Sequence, residues 1–361
     1  MLLGIRLAIF DSLGESIERW EPRWVEYCHA HGIECELVDC YRSDVISRLR
    51  GFDGLLWHIY YGRPIHRVVA QHVLRAAEYL GLAVFPNERT VWYYDDKVAE
   101  KYALEAVQAP LVPTYVFYHK EEALAWLKEA TYPLVWKLRG GAGSCNVRLV
   151  RSYRNARRLC DRAFGRGFPG AAGYLADART KFRKARNLVG LWGKLCRMPQ
   201  RLREHRAEGR LAWREKGCIL FQEFMPGNTF DTRIAVVGER AWGFTRNVRP
   251  NDFRASGSGA IVYDPQRVGL DCVGLGFELA RALGAQSLAV DFVRTPEGEP
   301  KIVEMSYGYL AKAVYDTPGY WDRDLRWHEG HYWPQDAILQ DLVAEVARNQ
   351  QGERGQVPSA E

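Results

Sequence analysis

The first 85 residues alternate short β-rich apolar runs with stretches of helical periodicity, and this alternation limits the possible folds more than any other feature. Leu3–Phe10, Glu34–Val38, Gly54–Ile59 and Leu82–Phe85 read as strands, with helical patterns at Ser16–His31 and Pro64–Leu80. Strands separated by helices predict βαβ units around a parallel sheet, because parallel neighbours need a long crossover between them. No G-x-G-x-x-G is present, so the fingerprint of a dinucleotide site is absent.

The alternation continues on a smaller scale to residue 150. Pro86 and Asn87 open a helix, Asp96 precedes a longer one at Lys97–Val107, and Pro110 and Pro113 frame an extended piece. Glu121–Ala130 reads as helix and Tyr132–Leu138 as strand. The glycine-rich loop Gly140–Ser144 (GGAGS) follows, and then a strand at Asn146–Val150. From Cys218 the pattern changes to paired strands: Ile219–Phe224, Thr232–Val237, a turn at Val237-Gly238-Glu239, and Ala241–Arg246. A helix at Gln266–Leu283 precedes strands at Ser287–Arg294 and Lys301–Met305. A last helix spans Pro334–Arg348, and Asn349–Glu361 reads as a disordered polar tail.

With 361 residues, 47% hydrophobic and 26% charged, the composition is that of an ordinary globular protein of two or three domains. It excludes collagen-like, disordered and small disulfide-scaffold chains. The apolar run Leu2–Phe10 is interrupted by Arg6 and lacks a small-residue cleavage site, so it reads as a strand and not a signal peptide. No stretch approaches the roughly 20 apolar residues of a membrane helix. The eight cysteines (28, 35, 40, 145, 160, 196, 218 and 272) form no C-x-x-C pair and no Cys/His metal spacing, which suits reduced thiols in a cytoplasm.

The charge is unevenly distributed. Residues 151 to 216 hold 19 Lys+Arg and 5 Asp+Glu, while the rest of the chain carries 31 basic and 39 acidic residues. A basic block inside an acidic protein points to an anionic partner, although charge runs are also common on solvated helical faces. Gly165, Gly167, Pro169, Gly170 and Pro199 break the block, so helices separated by turns are its expected form.

Chemistry-bearing residues stand at particular places in this pattern. Asp291 lies within the apolar strand SLAVDFV and Glu304 within the next, KIVEMS. Carboxylates are costly to bury unpaired, so two on adjacent strands suggest either a shared cation, with Mg²⁺ the natural match, or pairing to an arginine. Lys97 opens a helix, and Lys137 ends a strand directly before the glycine loop. Lysine beside glycine-rich backbone amides is the chemistry of a phosphate cradle, and such glycine clusters also serve as plain turns. The strand Phe221-Gln222-Glu223-Phe224-Met225 before Pro226-Gly227 offers either an apolar slot for a flat base or an ordinary core strand.

Taken in order, Lys97, Lys137, the glycine loop, QEFMPG, Asp231-Thr232-Arg233, NDFR (Asn251 to Arg254), Asp291 and Glu304-Met305-Ser306 resemble the ATP-grasp superfamily from about Pro86 to Ala313. The first 85 residues resemble its preceding α/β domain. The resemblance is nearest to the carboxylate–amine ligases, among them ribosomal-protein glutamate ligases, glutathione synthetases and D-alanyl-D-alanine ligases, with D-x-R and DFR the most specific pieces. It implies an ATP-grasp fold, α+β in the ATP-binding part, behind an N-terminal parallel-sheet α/β domain. It further implies that Lys97 and Lys137 contact ATP phosphates while Gly140, Gly141, Gly143 and Ser144 close over them. Gln222, Glu223 and Met225 hold adenine and Asp231 approaches the ribose. Asp291, Glu304 and Ser306 bind Mg²⁺, or Mn²⁺ in its place. Arg233 and Arg254 are the catalytic arginines facing the acyl phosphate or the carboxylate substrate. Ser306 stands where the family usually has asparagine, a change to a shorter oxygen ligand.

The activity implied is ATP-dependent ligation of a carboxylate, small or glycan-linked, to an amine through an acyl phosphate. Phosphoryl transfer of this kind needs positioning and cationic stabilisation more than a protein nucleophile, so His58, His66 and His119 read as structural or surface groups. From Lys137 to Gln222 the chain runs 85 positions, longer than the family needs, and the excess falls on the basic block. The expected organisation is an N-terminal domain at 1–85, an ATP-grasp domain at 86–150 and 217–348, a basic, helical insertion in its lid at 151–216, and a tail at 349–361. The insertion suits a polyanionic substrate or an anionic membrane surface, with Leu191, Trp192 and Leu195 as inserting residues, and therefore a cytoplasmic protein peripheral at the membrane. The alternative function is a regulatory, non-catalytic nucleotide-binding protein whose insertion binds an anionic membrane, a glycan or RNA. Trp57, His58, Tyr60, Tyr61 and Arg63 cluster at a strand end and read either as a substrate pocket or as an aromatic core edge.

Overall fold

The computed structural model describes residues 4–12, 18–59, 64–140, 146–169, 214–249 and 252–354. Strands β1 (Arg6–Phe10), β2 (Glu34–Val38), β3 (Gly54–Leu56) and β4 (Ala83–Phe85) form a sheet in the order β2-β1-β3-β4, parallel at every pairing. The connections are α1 (Glu21–His31), α2 (Val45–Leu49) and α3 (Pro64–Tyr79). Leu7, Ala8 and Ile9 are all fully buried, the two-faced burial a parallel sheet imposes. Helix α1 begins at Glu21, later than the pattern at Ser16 suggested, because Pro22 sets the first turn.

Two antiparallel sheets follow. The smaller joins β5 (Thr114–Phe117), β6 (Leu134–Lys137), β7 (Val147–Val150) and β10 (Ile219–Glu223) in the order β5-β10-β6-β7. Helices α6 (Lys120–Glu129) and α7 (Tyr153–Ala163) pack against it around Leu127, Trp136, Ala156, Cys160 and Phe221. The larger is built on β11 (Phe230–Val237), β12 (Arg240–Asn247), β14 (Ser287–Arg294) and β15 (Pro300–Ser306), in the order β15-β14-β11-β12. It extends to β16 (Gly319–Trp321) and β17 (Trp327–Glu329), two short strands that the sequence pattern did not suggest, with β13 (Ile261–Val262) pairing β12. Helix α8 (Leu270–Leu283) covers β11 and β14. The helix expected from Gln266 is broken: Asp264 caps a single 3₁₀ turn at Pro265–Arg267, Val268 turns extended, and α8 starts after Gly269.

Short helices α4 (Glu88–Val91), α5 (Lys97–Ala106) and α9 (Ala311–Tyr315) link these layers, and α10 (Pro334–Arg354) ends the described chain. Helix α10 runs past Arg348 and covers residues 349–354, which the sequence assigned to a tail. Its Ala337, Ile338, Leu339, Leu342, Val343 and Val346 join one hydrophobic core with the N-terminal sheet and with Ala235, Val237, Trp242 and Phe244 of the large sheet. Arg23 of α1 fixes α10 by donating to both oxygens of Asp336, at 2.8 and 2.6 Å. Within the basic block, α7 is helical, and β8 (Phe168–Pro169) pairs antiparallel with β9 (Arg214–Glu215). Residues 170–213, including Leu191, Trp192 and Leu195, lie outside the described residues. Among the described residues no helix is long and apolar enough to cross a membrane, and Cys28, Cys35, Cys40, Cys160, Cys218 and Cys272 are free thiols.

Candidate functional site

Strand register assembles a charged row across the large sheet. The turn at Gly238-Glu239 sets Asp231 opposite Arg246 across β11 and β12; Arg233 faces Asp291 across β11 and β14, and Asp291 faces Glu304 across β14 and β15. Arg233 donates to both oxygens of Asp291 (2.6 and 2.7 Å), and Arg246 reaches the same carboxylate at 2.7 Å while holding Asp231 bidentately at 2.8 and 2.6 Å. Of the two readings open for Asp291, the structure therefore displays the arginine pairing. Burial opposes ionisation of Asp291, yet the two guanidiniums outweigh it and hold the carboxyl well below the usual carboxylate range.

Glu304 lies 3.1 Å from the ammonium of Lys97. Its pKa is lowered: burial acts against ionisation, and Lys97 and Lys137 overcome it. Asp291 and Glu304 thus present hard oxygen donors on adjacent strands, the donor type Mg²⁺ takes, and Mg²⁺ is commonly held by one or two carboxylates together with substrate phosphates. Among the described residues no group of three or more His, Cys, Asp or Glu is placed to hold a metal unaided. The residues therefore fit an ion shared with a nucleotide better than a self-sufficient metal site. Ser306 donates its hydroxyl to the Gly308 carbonyl at 2.8 Å and accepts from the Gly308 amide at 3.2 Å, so its oxygen serves the local turn.

A narrow cleft runs between the two antiparallel sheets, lined by Lys97, Glu100, Leu104, Leu111, Thr114, Lys137, Leu220, Gln222 and Val303. Asp96 caps α5 through the amides of Val98 and Ala99, which places Lys97 at the helix start and aims it inward. Lys137, the last residue of β6, donates to the Val303 carbonyl of β15 at 2.9 Å and so joins the two sheets. Burial depresses its pKa, and the neighbouring Lys97 adds to that effect. For Lys97 burial acts in the same direction, but Glu304, Glu100 and Asp95 reverse it and raise the pKa. Gln222 donates to Thr114 Oγ1 at 3.0 Å and to Val303 O at 3.4 Å from the floor of the slot.

The remaining predicted residues are distributed as follows. The Gly140 amide donates to both oxygens of the Glu215 carboxylate, at 3.2 and 3.3 Å, while Gly141, Gly143 and Ser144 lie outside the described residues. The Glu223 side chain is exposed and accepts from the Tyr115 hydroxyl at 3.0 Å. Met225 follows in the adjoining turn, where its carbonyl accepts from Asn228 at 3.4 Å. Arg254 stands apart from the charged row, in a loop where it pairs with Asp252 at 2.6 Å and reaches the Val147 carbonyl of β7 at 3.5 Å; Asn251 is outside the described residues. At the end of β3, Trp57 stacks on Phe10 at 4.3 Å and His58 on Trp20 at 4.2 Å, both buried, so these two form an aromatic core edge. Burial pushes His58 down to about 3, a neutral structural imidazole. Tyr60, Tyr61 and Arg63 fall outside the described residues.

Three site residues escaped the sequence reading. Glu100 is buried beside both lysines, accepts from the Met305 amide at 3.3 Å, and is raised by burial to about 8. Its signal was the spacing from Lys97, since residues three apart share a helix face. Arg246 was readable from the hairpin register set by the turn at Gly238. Glu215, raised by burial to about 7, offered no local signal, because only the fold brings it to the glycine loop.

A lysine-lined cleft between two antiparallel sheets, behind a parallel-sheet α/β unit, is the ATP-grasp fold, and this chain has it. A RimK-domain ATP-grasp protein of Sphaerobacter thermophilus superposes with a TM-score of 0.54 at 17% identity, over 94% of this chain and 99% of that one. The D-alanine–D-alanine ligase of Bacillus anthracis, in its complex with ATP, superposes with a TM-score of 0.57 at 14% identity, over 97% and 99%. D-cycloserine synthetase gives 0.55 at 15% identity, over 95% and 100%. No protein-family model matches the chain, and no curated protein matches it.

Proposed function

We propose that the protein is an ATP-dependent carboxylate–amine ligase that forms an acyl phosphate and releases ADP and phosphate. The observation carrying this reading is the pair of buried lysines, Lys97 and Lys137, that line the cleft between the two antiparallel sheets, with Lys97 3.1 Å from Glu304 and Asp291 paired to Glu304 on the next strand. Buried ammonium groups so close together are stabilised by anions, and a polyphosphate entering the cleft meets them directly. Gln222 and the backbone of Glu223 and Met225 line the base end. Asp291 and Glu304 would hold Mg²⁺, which supplies charge neutralisation on the transferred phosphoryl group. In this reading Arg233, next to Asp291, would orient a carboxylate or acyl phosphate, and Arg254 would act from its loop beside β7. The likeness to ligases such as D-alanine–D-alanine ligase and D-cycloserine synthetase supports the reaction class, and the basic block at 151–216 suits a polyanionic acid substrate or an anionic membrane.

The test is ADP release screened over acid and amine pairs, phosphorylated and lipid-linked sugars included, with Mg-ATP. Asp291→Asn and Glu304→Gln are expected to lower turnover by at least a hundredfold while the circular dichroism spectrum is kept; unchanged turnover overturns the assignment. One observation favours the regulatory alternative, namely the closure of Asp291 by two arginines. Nucleotide binding without ADP release across the whole panel would identify that reading.

A further inference from the structure

A second concentration of positive charge lies where α7, β7 and the β8–β9 ribbon meet, and none of its arginines lines the cleft. Arg162 of α7 donates its Nε to the Gly167 carbonyl at 3.2 Å, and Arg214 of β9 donates to the same oxygen at 3.0 Å and to the Arg166 carbonyl at 2.7 Å. Two guanidiniums are thereby fixed side by side on one acceptor. Below them lies an aromatic platform: Arg162 sits 4.5 Å over the Phe168 ring, Phe168 packs 4.7 Å from Trp136, and Arg148 sits 5.6 Å from the Trp136 ring. Arg166 occupies the turn between α7 and β8. Asp161, the acidic residue of α7, is taken by Lys120 at 2.8 Å. Among the described residues no carboxylate pairs with Arg148, Arg162, Arg166 or Arg214. Burial lowers the pKa of Arg162, and the charges of Arg166, Arg148 and Arg214 lower it further, as repulsion among like charges requires.

Four arginines lie together against their own repulsion: Arg162 and Arg214 are anchored by backbone carbonyls, Arg162 and Arg148 sit over aromatic rings, and Arg166 stands exposed in the adjoining turn, so that together they offer N–H donors to an anion. Planar guanidiniums match phosphate oxygens in pairs, which an ammonium cannot do. Strand alternation also separates this cluster from the cleft: Arg214 belongs to the cluster, while its neighbour Glu215 bonds Gly140 of the glycine loop. The chain leaves at Pro169 and returns at Arg214 of the same ribbon, and the 44 residues between them carry eleven Lys and Arg against three Asp and Glu, so long-range attraction acts in the same direction.

We infer that Arg148, Arg162, Arg166 and Arg214 form a binding site for a phosphate group beside α7 and the β8–β9 ribbon, distinct from the cleft between the two antiparallel sheets. The phosphate belongs either to a soluble phosphorylated ligand or to a lipid headgroup, and both sources share the recognition chemistry.

Titration calorimetry with sodium pyrophosphate and co-sedimentation with phosphatidylglycerol-containing vesicles test the two sources on the full chain. Three variants are compared with the wild type: Arg148→Gln/Arg166→Gln, whose residues are exposed and whose fold should be unaffected; Lys97→Ala, which disables the cleft; and the distant control Arg75→Gln. Binding of pyrophosphate that falls at least tenfold in the arginine double variant and persists in Lys97→Ala establishes the site for a soluble ligand. Vesicle binding that follows the same pattern, with pyrophosphate ignored, establishes it for a headgroup. Equal binding by wild type and double variant, or no binding of either probe by the wild type, overturns the inference. Loss in Lys97→Ala alone also overturns it, by locating the anion in the cleft.

Discussion

The site is governed at the residue scale by how much charge the fold buries together. Lys97, Lys137, Glu100 and Glu304 are brought together from α5, β6 and β15, and they change the cost of ionising one another. Glu100 carries the clearest consequence. Its folded pKa of about 8 lies above the ordinary value of 4.5, so between those limits the folded protein keeps a proton that the unfolded chain has released. Stability attributable to Glu100 is therefore present in full below pH 4.5 and declines as pH rises to about 8, by roughly 1.4 kcal/mol per pH unit if the group titrated alone. Glu100→Gln is expected to remove that decline. Urea unfolding between pH 5 and 8 measures it, and a wild-type slope in the variant would refute the buried-proton account. Lys97, Lys137, Asp291 and Glu304 were all legible as candidates because each sits at a recognisable junction in the pattern, and the structure brings them close together. The partner of Asp291 was not, because an apolar strand does not reveal which charge its neighbour brings.

Elements act through register. The β11–β12 hairpin turns at Gly238, where φ is +54° and an added Cβ would collide with the Asp341 carboxylate, so glycine fits this turn and sets the pairing of the eight residues on each side. That register carries Arg246 to Asp231 and, diagonally, to Asp291. Removing one member of a buried ion cluster leaves uncompensated charge, at a cost of about 3–5 kcal/mol. Arg246→Met is accordingly expected to lower stability by that amount and to weaken nucleotide binding as Asp231 and Asp291 lose their common partner. Chemical denaturation together with nucleotide titration checks both effects, and a loss below about 1 kcal/mol would show that Arg246 is dispensable to the row. The strands bearing the site were legible as β-rich apolar runs bounded by turns, in keeping with their nearly continuous burial. The 3₁₀ break before α8 was harder to read, because a capping aspartate and an extended Val268 interrupt a segment whose apolar spacing continues.

At the scale of the whole molecule, the N-terminal sheet is not closed by its own sequence neighbours. Helix α10, more than 240 residues downstream of β4, lies on it, and Trp24 of α1 donates its indole N–H to the Gln335 carbonyl at 3.1 Å. A chain ending at Trp333 is expected to lose cooperative unfolding and to bind a hydrophobic dye, since Ile338, Leu339, Leu342 and Val346 leave the shared core. A sharp thermal transition in such a truncation would show that the sheet closes by itself.

The sequence by itself determined the order of the elements and of the chemistry: a parallel α/β start, paired strands from Cys218, lysines before and at the glycine loop, and carboxylates on the last two long strands. Local periodicity and turn chemistry suffice for that, because they act between residues a few positions apart. Only the tertiary structure decided that Asp291 is held by two arginines, that Glu100 is a buried acid and Glu215 a half-buried one, and that α10 completes the first sheet. Each of these depends on desolvation and on contacts between residues distant in the chain, so spacing can put Glu100 on the helix face of Lys97 but does not show that it is buried.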